Sequence, residues 1–177
     1  MIRKKGFFTA ATAMLLLSVL TASAAQEPVE TGTLIGVFDS RCVAFAYYRS
    51  EEFMIMINQQ KADYEAALLD GDSVRAEELG ILGPQMQQLA HEQLFSTADI
   101  DDIISMIEFE LPGVAEEAGV DIIVNSWDII YKDETVQFVD VTDLLVEFFD
   151  PTEESLETIE EIKITPPVPI QSLTEHD

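Results

Sequence analysis

Carboxylates are the residues of this chain whose number and spacing could support chemistry. Asp99, Asp101 and Asp102 stand together, and hard cations are bound by carboxylate oxygens. The run lacks the glycine and the distal glutamate of a calcium loop, so we interpret it as acid at a solvated helix start. Neighbouring helix positions point apart, so adjacent glutamates do not indicate paired acid–base catalysis. Such pairs are Glu51–Glu52, Glu77–Glu78, Glu116–Glu117 and Glu160–Glu161.

Nucleophilic chemistry has little support. The single cysteine, Cys42, would need a histidine partner, but His91 lies in a glutamine-rich predicted helix and His176 in the C-terminal tail. Within "RCVAFAYY" we expect Cys42 to be a small buried residue near a helix start. A thiol that pairs between chains is the alternative. The sequence contains no phosphate loop, metal-ligand cluster or nucleophile elbow. It therefore predicts a non-enzymatic protein without cofactor or metal; a carboxylate-dependent hydrolase is the weaker alternative.

The N-terminus has the three parts of a secretory signal. "MIRKK" supplies positive charge, a short apolar run follows over roughly Phe7–Leu20, and "TASAAQ" offers small residues for cleavage after Ala24 or Ala25. We therefore predict that residues 1–25 are removed and that the mature protein is periplasmic. A retained anchor is the alternative.

The charge of the predicted mature chain restricts its partners. The signal contains three of the nine basic residues and none of the 34 acidic ones, so the mature net charge is −28. Nucleic acid and anionic lipid surfaces are disfavoured, because both are bound through basic contacts. The charge suits basic partners, cations and repulsion of like-charged surfaces. Adaptation to a salt-rich habitat would produce the same bias.

The first half of the mature chain predicts one strand and a helical middle. "TLIGVFD", Thr33–Asp39, is β-prone, and Ser40 is the predicted cap of a helix over residues 41–69. Asp70–Asp72 is a turn signal. A second helix is expected over Ser73–Phe95, with a kink or break at Pro84.

A third helix is predicted from Ser96 or Thr97, with Pro112 inside it or at its end, and "VAEEAG" adds a further helical turn or two that stops at Gly119, a typical helix stop. Isoleucines at helical spacing predict its buried face. They are Ile100, Ile103, Ile104 and Ile107.

The second half predicts strands followed by short helices. "VDIIVN", residues 120–125, is expected to be a strand buried on both faces, "DIIYK" from Asp128 a third strand, and "VQFVDV" extended chain. Thr142 should begin a helix, and Asp150 and Pro151 should cap an acidic last helix. The predicted packing residues of these two helices are Leu144, Leu145, Phe148, Phe149, Leu156, Ile159 and Ile162.

These elements predict an α+β fold in which both chain ends build one small β-sheet and a kinked helical hairpin projects from it. The domain would span residues 26–150, with the helical projection at about 41–118. An acidic helix and a proline-rich tail would follow at residues 151–177.

The most apolar helical stretch is "AFAYYRSEEFMIMI", which holds more large apolar residues than one helix stripe buries. We expect packing against the third helix, contact with another subunit, or a client surface that uses flexible methionines. The candidate client or subunit contacts are Phe45, Tyr48, Phe53, Met54 and Met56. Trp127 is expected to cover the core rather than to stack on a ligand.

The order of these pieces resembles the Skp/OmpH-like periplasmic chaperones. An export signal precedes "IGVFDSRCVA", which is similar to that family's first strand and helix, and residues 119–149 look like its closing segment. The strongest likeness there is at Asp121–Val124, Asp128–Tyr131 and Asp140–Thr142. The resemblance implies a trimer with helical arms that enclose unfolded outer-membrane proteins. This chain differs in its shorter, interrupted helical middle and in its acidic arms.

The sequence therefore predicts a chaperone-like holdase or scaffold that binds unfolded or outer-membrane polypeptides through apolar helix surfaces, as a homo-oligomer. The alternative is an acidic interaction module that binds a basic partner or cations and has no chaperone activity.

Overall fold

A computed structural model describes residues 32–167, so the predicted signal segment and the end of the tail lie outside the described residues. The fold class is α+β, as predicted. The strands are β1 (Ile35–Phe38), β2 (Ile122–Asn125) and β3 (Phe138–Asp140). The α-helices are α1 (Ser40–Arg49), α2 (Glu51–Asp70), α3 (Ser73–Leu94), α4 (Asp101–Met106), α5 (Leu111–Ala118), α6 (Thr142–Val146) and α7 (Glu153–Ile164). Short 3-10 turns occupy Ser126–Asp128 and Glu147–Phe149.

Both chain ends form a single parallel sheet in the order β2-β1-β3, which confirms the predicted platform. Ile35 is in register with Ile122 on one side and with Phe138 on the other. Gly36 lies at the centre, where a Cβ atom would approach side-chain methyl groups of Val120 and Val141 to 3.1 and 3.2 Å. A side chain at this position would therefore push the two flanking segments slightly away from β1.

Two strand predictions are wrong. "DIIYK" forms a 3-10 turn and irregular chain, and Ile130 and Tyr131 are exposed, because β3 rather than this segment takes the second side of β1. The expectation that β2 is buried on both faces also fails. Ile122 is 47% exposed, since β2 stands at the edge of the sheet.

The core lies between the sheet and the short helices. α1 packs against α3, α6 and α7, and the buried side chains include Val43, Ile103, Leu145 and Ile159. The predicted isoleucine face is confirmed, because Ile100, Ile103 and Ile107 are buried and Ile104 packs on the core. Two predicted packing residues are instead exposed, Phe148 and Leu156. Ser155 rather than Leu156 is buried one turn before Ile159 in α7.

The helical projection is an antiparallel hairpin of α2 and α3, closed by Gly71 in the left-handed conformation with φ of 73°. The predicted single helix over residues 41–69 is interrupted at Ser50, which is extended (φ −66°, ψ 153°) and whose hydroxyl accepts the Phe53 N–H at 3.2 Å. The predicted break at Pro84 does not occur, because α3 is continuous through it.

Three helix starts differ from prediction. Asp39 rather than Ser40 caps α1, and its carboxylate accepts the Arg41 N–H at 3.0 Å. The helix expected from Ser96 or Thr97 begins at Asp101 without a side-chain cap. Thr152, not Asp150 or Pro151, caps α7. The predicted stop at Gly119 is confirmed, with φ of 66°. Among residues 32–167, no helix combines the length and hydrophobicity needed to cross a membrane.

Candidate binding groove

An aromatic cluster fixes the base of the hairpin. The Tyr48 and Phe53 ring centroids are 4.8 Å apart, and Tyr47 lies 5.2 Å from Phe53 and 5.7 Å from Phe149. These rings lie on either side of the Ser50 break and pack edge to face or tilted, an arrangement that aromatic quadrupoles favour. The cluster therefore joins the start of α2 to the body.

A buried hydrogen-bond network holds the end of α3 in the same place. The Tyr48 hydroxyl donates to Gln93 Oε1, and Gln93 Nε2 donates to the Asp99 carbonyl at 2.9 Å and to Asp102 Oδ1 at 2.7 Å. Burial, aided by the Asp102 charge and by Tyr47, raises the pKa of Tyr48 to about 12. The phenol therefore remains a neutral donor across the physiological pH range.

The five predicted contact residues are distributed over different environments. Phe45 packs partly on the core, and the Arg49 guanidinium lies 5.6 Å from its ring centroid. Tyr48 and Phe53 belong to the aromatic cluster, and Met56 is half-buried. Met54 alone is strongly exposed, at 45%.

Sequence reasoning missed most of the apolar surface of the hairpin. We define the outer apolar surface as the large apolar side chains of α2 and α3 that are exposed and do not line the groove described in the next paragraph. These are Met54, Ile55, Leu68, Leu69, Val74, Ile81, Leu82 and Leu89. In α2 and α3 only Ala67, Ala76 and Gln93 are buried. The apolar residues of α3 were the available signal, because they do not share one stripe.

An open groove of about 650 Å³ runs along α2 and α3. We call it the hairpin groove. Its lining comprises Tyr48, Phe53, Ile57, Gln60, Lys61, Tyr64, Leu79, Gly80, Gly83, Pro84, Met86, Gln87, Ala90, His91 and Leu94. A Cβ atom on Gly80 would lie 3.5 Å from the Tyr64 ring, and one on Gly83 would meet open space. Gly80 therefore allows α3 to approach Tyr64, and Gly83 leaves open space beside two continuous helices.

A second polar cluster lies between α1 and the C-terminal end of α7. Arg41 is buried, and its Nη2 lies 2.6 Å from Asp39 Oδ2. Its guanidinium also donates to the Thr165 and Ile162 carbonyls, at 2.9 and 3.0 Å. Trp127 covers this pair: its Nε1 donates to Asp39 at 2.9 Å, and its ring centroid lies 4.8 Å from the Arg41 guanidinium carbon. All these donors and acceptors are satisfied within the chain, so the cluster is structural.

The carboxylates considered as metal or acid–base groups do not converge. Asp99 and Asp101 are exposed, and the Asp102 carboxylate accepts a hydrogen bond from Gln93. In the described part of the chain, no group of three or more His, Cys, Asp and Glu side chains is placed to hold a metal ion. The four glutamate pairs belong to α2, α3, α5 and α7.

Cys42 lies in the core, as predicted, and its thiol is 3.9 Å from the Ile159 carbonyl. Burial, together with the Asp39 charge, raises the pKa of the Cys42 thiol to about 12. His91 lines the hairpin groove, and His176 lies outside the described residues.

No family model, curated protein or solved structure matches the chain. The described residues form an α+β body with a projecting helical hairpin, and the hairpin surface carries both exposed apolar and acidic side chains.

Proposed function

We propose that this chain is an exported, non-enzymatic holdase or scaffold protein of Skp/OmpH-like type, which binds unfolded or outer-membrane polypeptides through the hairpin. The main support for the proposal is the outer apolar surface. Its eight large apolar side chains are exposed, and α2 and α3 bury only three residues between them. Exposed apolar patches of this kind mark interaction surfaces.

The charge of the hairpin fits a holding role. α2 and α3 contain eight acidic residues and two lysine or arginine residues, Lys61 and Arg75. An acidic surface around apolar side chains keeps a complex with an aggregation-prone polypeptide in solution and repels anionic membranes. It favours clients whose apolar segments are flanked by basic residues.

Two features of the body support self-association. β2 and β3 are the edge strands of the sheet, and edge strands present unpaired backbone groups. In the chain segment that follows β2, Ile130 and Tyr131 are exposed at 102% and 80%. The homo-oligomer is proposed to form through this face, as a trimer by resemblance, and a light-scattering mass of the mature protein tests it.

A client-aggregation assay tests the holding role. An unfolded outer-membrane protein diluted from urea should scatter less light when the protein is present in equimolar amounts. The quadruple variant Met54→Ser, Ile55→Ser, Leu68→Ser and Leu69→Ser should lose this protection, because it removes exposed apolar area without touching the core. Asn58→Ser with Gln59→Ser is the matched control on the same helix and should retain it. Unchanged scattering with the wild-type chain would contradict the proposal.

A second candidate function follows from the net charge of −28 of the predicted mature chain. An acidic interaction module would bind a basic protein or cations electrostatically and leave client aggregation unaffected. Its binding would weaken steeply as salt is added, since exposed charges are screened over about 8 Å at physiological ionic strength. Binding through the outer apolar surface would instead persist in salt.

A further inference from the structure

The hairpin groove is a different surface from the outer apolar surface. It is lined by residues of both α2 and α3, and none of the eight outer side chains lines it. Its volume of about 650 Å³ lies within the range of ligand-binding pockets, which are typically about 300–1,000 Å³. Phe53 and Tyr64, both in its lining, are separated by eleven residues of α2, or about 16 Å at 1.5 Å per residue. The groove is therefore long enough for an alkyl chain.

The empty space arises from α3. Gly80 and Gly83 carry no side chains, and Pro84 has only its ring, on the stretch that faces Tyr64 and Lys61 of α2. Ordinary side chains at these positions would fill the gap, as they do in a packed hairpin. The lining that remains is mostly aliphatic and aromatic, which suits an apolar chain and not a polar small molecule.

The charge of the groove is opposite to that of the rest of the hairpin. Eight of the 42 residues of α2 and α3 are acidic, yet none of the fifteen lining residues is. The lining instead contains Lys61 and His91. Arg75, the other lysine or arginine of the hairpin, is paired with Glu78 at 3.3 Å, whereas Lys61 makes no ion pair within residues 32–167. A lysine can lay its aliphatic stem along an apolar wall and keep its ammonium group at the water surface.

We propose that the hairpin groove binds a long-chain fatty acid, with the alkyl chain along α2 and α3 and the carboxylate at Lys61. An apolar trough with one unpaired cation and no carboxylates is complementary to one apolar chain with one anionic head. A ligand with a cationic head would lack a partner there and would meet the Lys61 charge. This binding is independent of the proposed polypeptide-holding role, which uses the outer apolar surface.

Calorimetric titration with laurate tests the site, with 1-dodecanol as the uncharged probe of equal chain length. The wild-type chain should bind laurate at least about tenfold more tightly than 1-dodecanol, because only laurate can form a charge-assisted hydrogen bond with Lys61. Lys61→Gln should weaken laurate binding about tenfold and reduce this preference, and Lys61→Arg should retain it. Arg75→Gln, which changes a hairpin cation outside the groove, should leave laurate binding unchanged.

A steric variant separates the groove from other apolar surfaces. Gly83→Leu places a side chain in the open space and raises helix propensity, so it should abolish laurate binding while the far-UV circular dichroism stays helical. Gly113→Leu is the matched control, because Gly113 also faces open space but lies in α5. The proposal is overturned if the wild-type chain does not bind laurate, or if Gly83→Leu binds it as the wild type does. It is equally overturned if an uncharged apolar peptide displaces laurate and Lys61→Gln affects neither ligand.

Discussion

At the residue scale, the buried Arg41 guanidinium connects the start of α1 to the end of α7. The guanidinium contacts the Asp39 carboxylate and two carbonyls at the end of α7, while Trp127 covers the pair. The sequence offered Arg41 only as the start of a helix and Trp127 as a cover for the core. Neither pattern indicates that Arg41 donates to the Thr165 carbonyl, 124 positions later in the chain. That hydrogen bond depends on how α7 packs against α1.

Arg41→Met should therefore lower the free energy of unfolding by about 3 kcal/mol, because it leaves the Asp39 carboxylate, whose side chain is only 12% exposed, without its cation. Arg75→Met removes an exposed arginine–carboxylate pair, that of Arg75 with Glu78, whose side chains are 53% and 62% exposed, and should cost less than about 1 kcal/mol. Urea unfolding followed by circular dichroism measures both. Equal effects of the two substitutions would contradict the buried cluster.

Cys42 should be inert in the native protein. Its side chain is buried, and its pKa is raised from 9.0 to about 12 by burial and by Asp39. The unfolded thiol ionises above pH 9 while the folded thiol stays protonated, so ionisation favours the unfolded state and stability falls between pH 9 and 12. Cys42→Ala should remove that part of the alkaline loss, measured as the urea midpoint against pH.

Alkylation provides the companion measurement for Cys42. Iodoacetamide should modify the thiol rapidly in urea and negligibly in buffer near neutral pH. Rapid modification of the folded chain would show that the thiol is accessible, contrary to the packing.

Helix boundaries show what local sequence determines and what it does not. Gly119 and the Asp70–Asp72 turn were predictable, because glycine in the left-handed conformation ends a helix for local steric reasons. The break at Ser50 was not, since serine is tolerated inside helices and the packing of Tyr47 against Phe149, which anchors the break to the body, is a tertiary contact. The continuity through Pro84 depends in the same way on the packing of α3 along α2.

Pro84→Ala should raise the free energy of unfolding of the chain by as much as about 3 kcal/mol, because proline inside a helix loses a hydrogen bond and crowds the preceding turn. Pro112→Ala is the control, since Pro112 lies in the first turn of α5, where proline is tolerated. Urea unfolding compares the two. A null effect at Pro84 would mean that the helix restarts there, contrary to an unbroken α3.

At the scale of the whole molecule, the meeting of the two chain ends in one sheet was predictable from the order of strand-like and helical segments. The identity of the third strand was not. "DIIYK" and "VQFVDV" are both β-prone, and the choice is made by the free side of β1 and by the Val141 N–H, which donates to the Val37 carbonyl at 2.9 Å. The hairpin groove was also beyond sequence reasoning, because glycine and proline in α3 indicated a break rather than a gap.

Gly36→Val should destabilise the fold by about 1–3 kcal/mol, as overpacking in a filled core does. Valine is ordinarily preferred over glycine in a strand. A fall in the free energy of unfolding, rather than a rise, would therefore indicate crowding by Val120 and Val141. Gly32→Val, at a position with no heavy atom within 4 Å, is the control and should be close to neutral in the same unfolding measurement.

The hairpin and both proposed binding surfaces depend on β1 lying between segments from the second half of the chain. Proton–proton NOE contacts from Gly36 test this most directly. The account predicts strong NOEs from a Gly36 Hα to methyl groups of both Val120 and Val141, because a Cβ in its place would lie 3.1 and 3.2 Å from their carbons. Absence of the NOEs to either valine, in a spectrum where both methyl groups are assigned, would contradict the sheet.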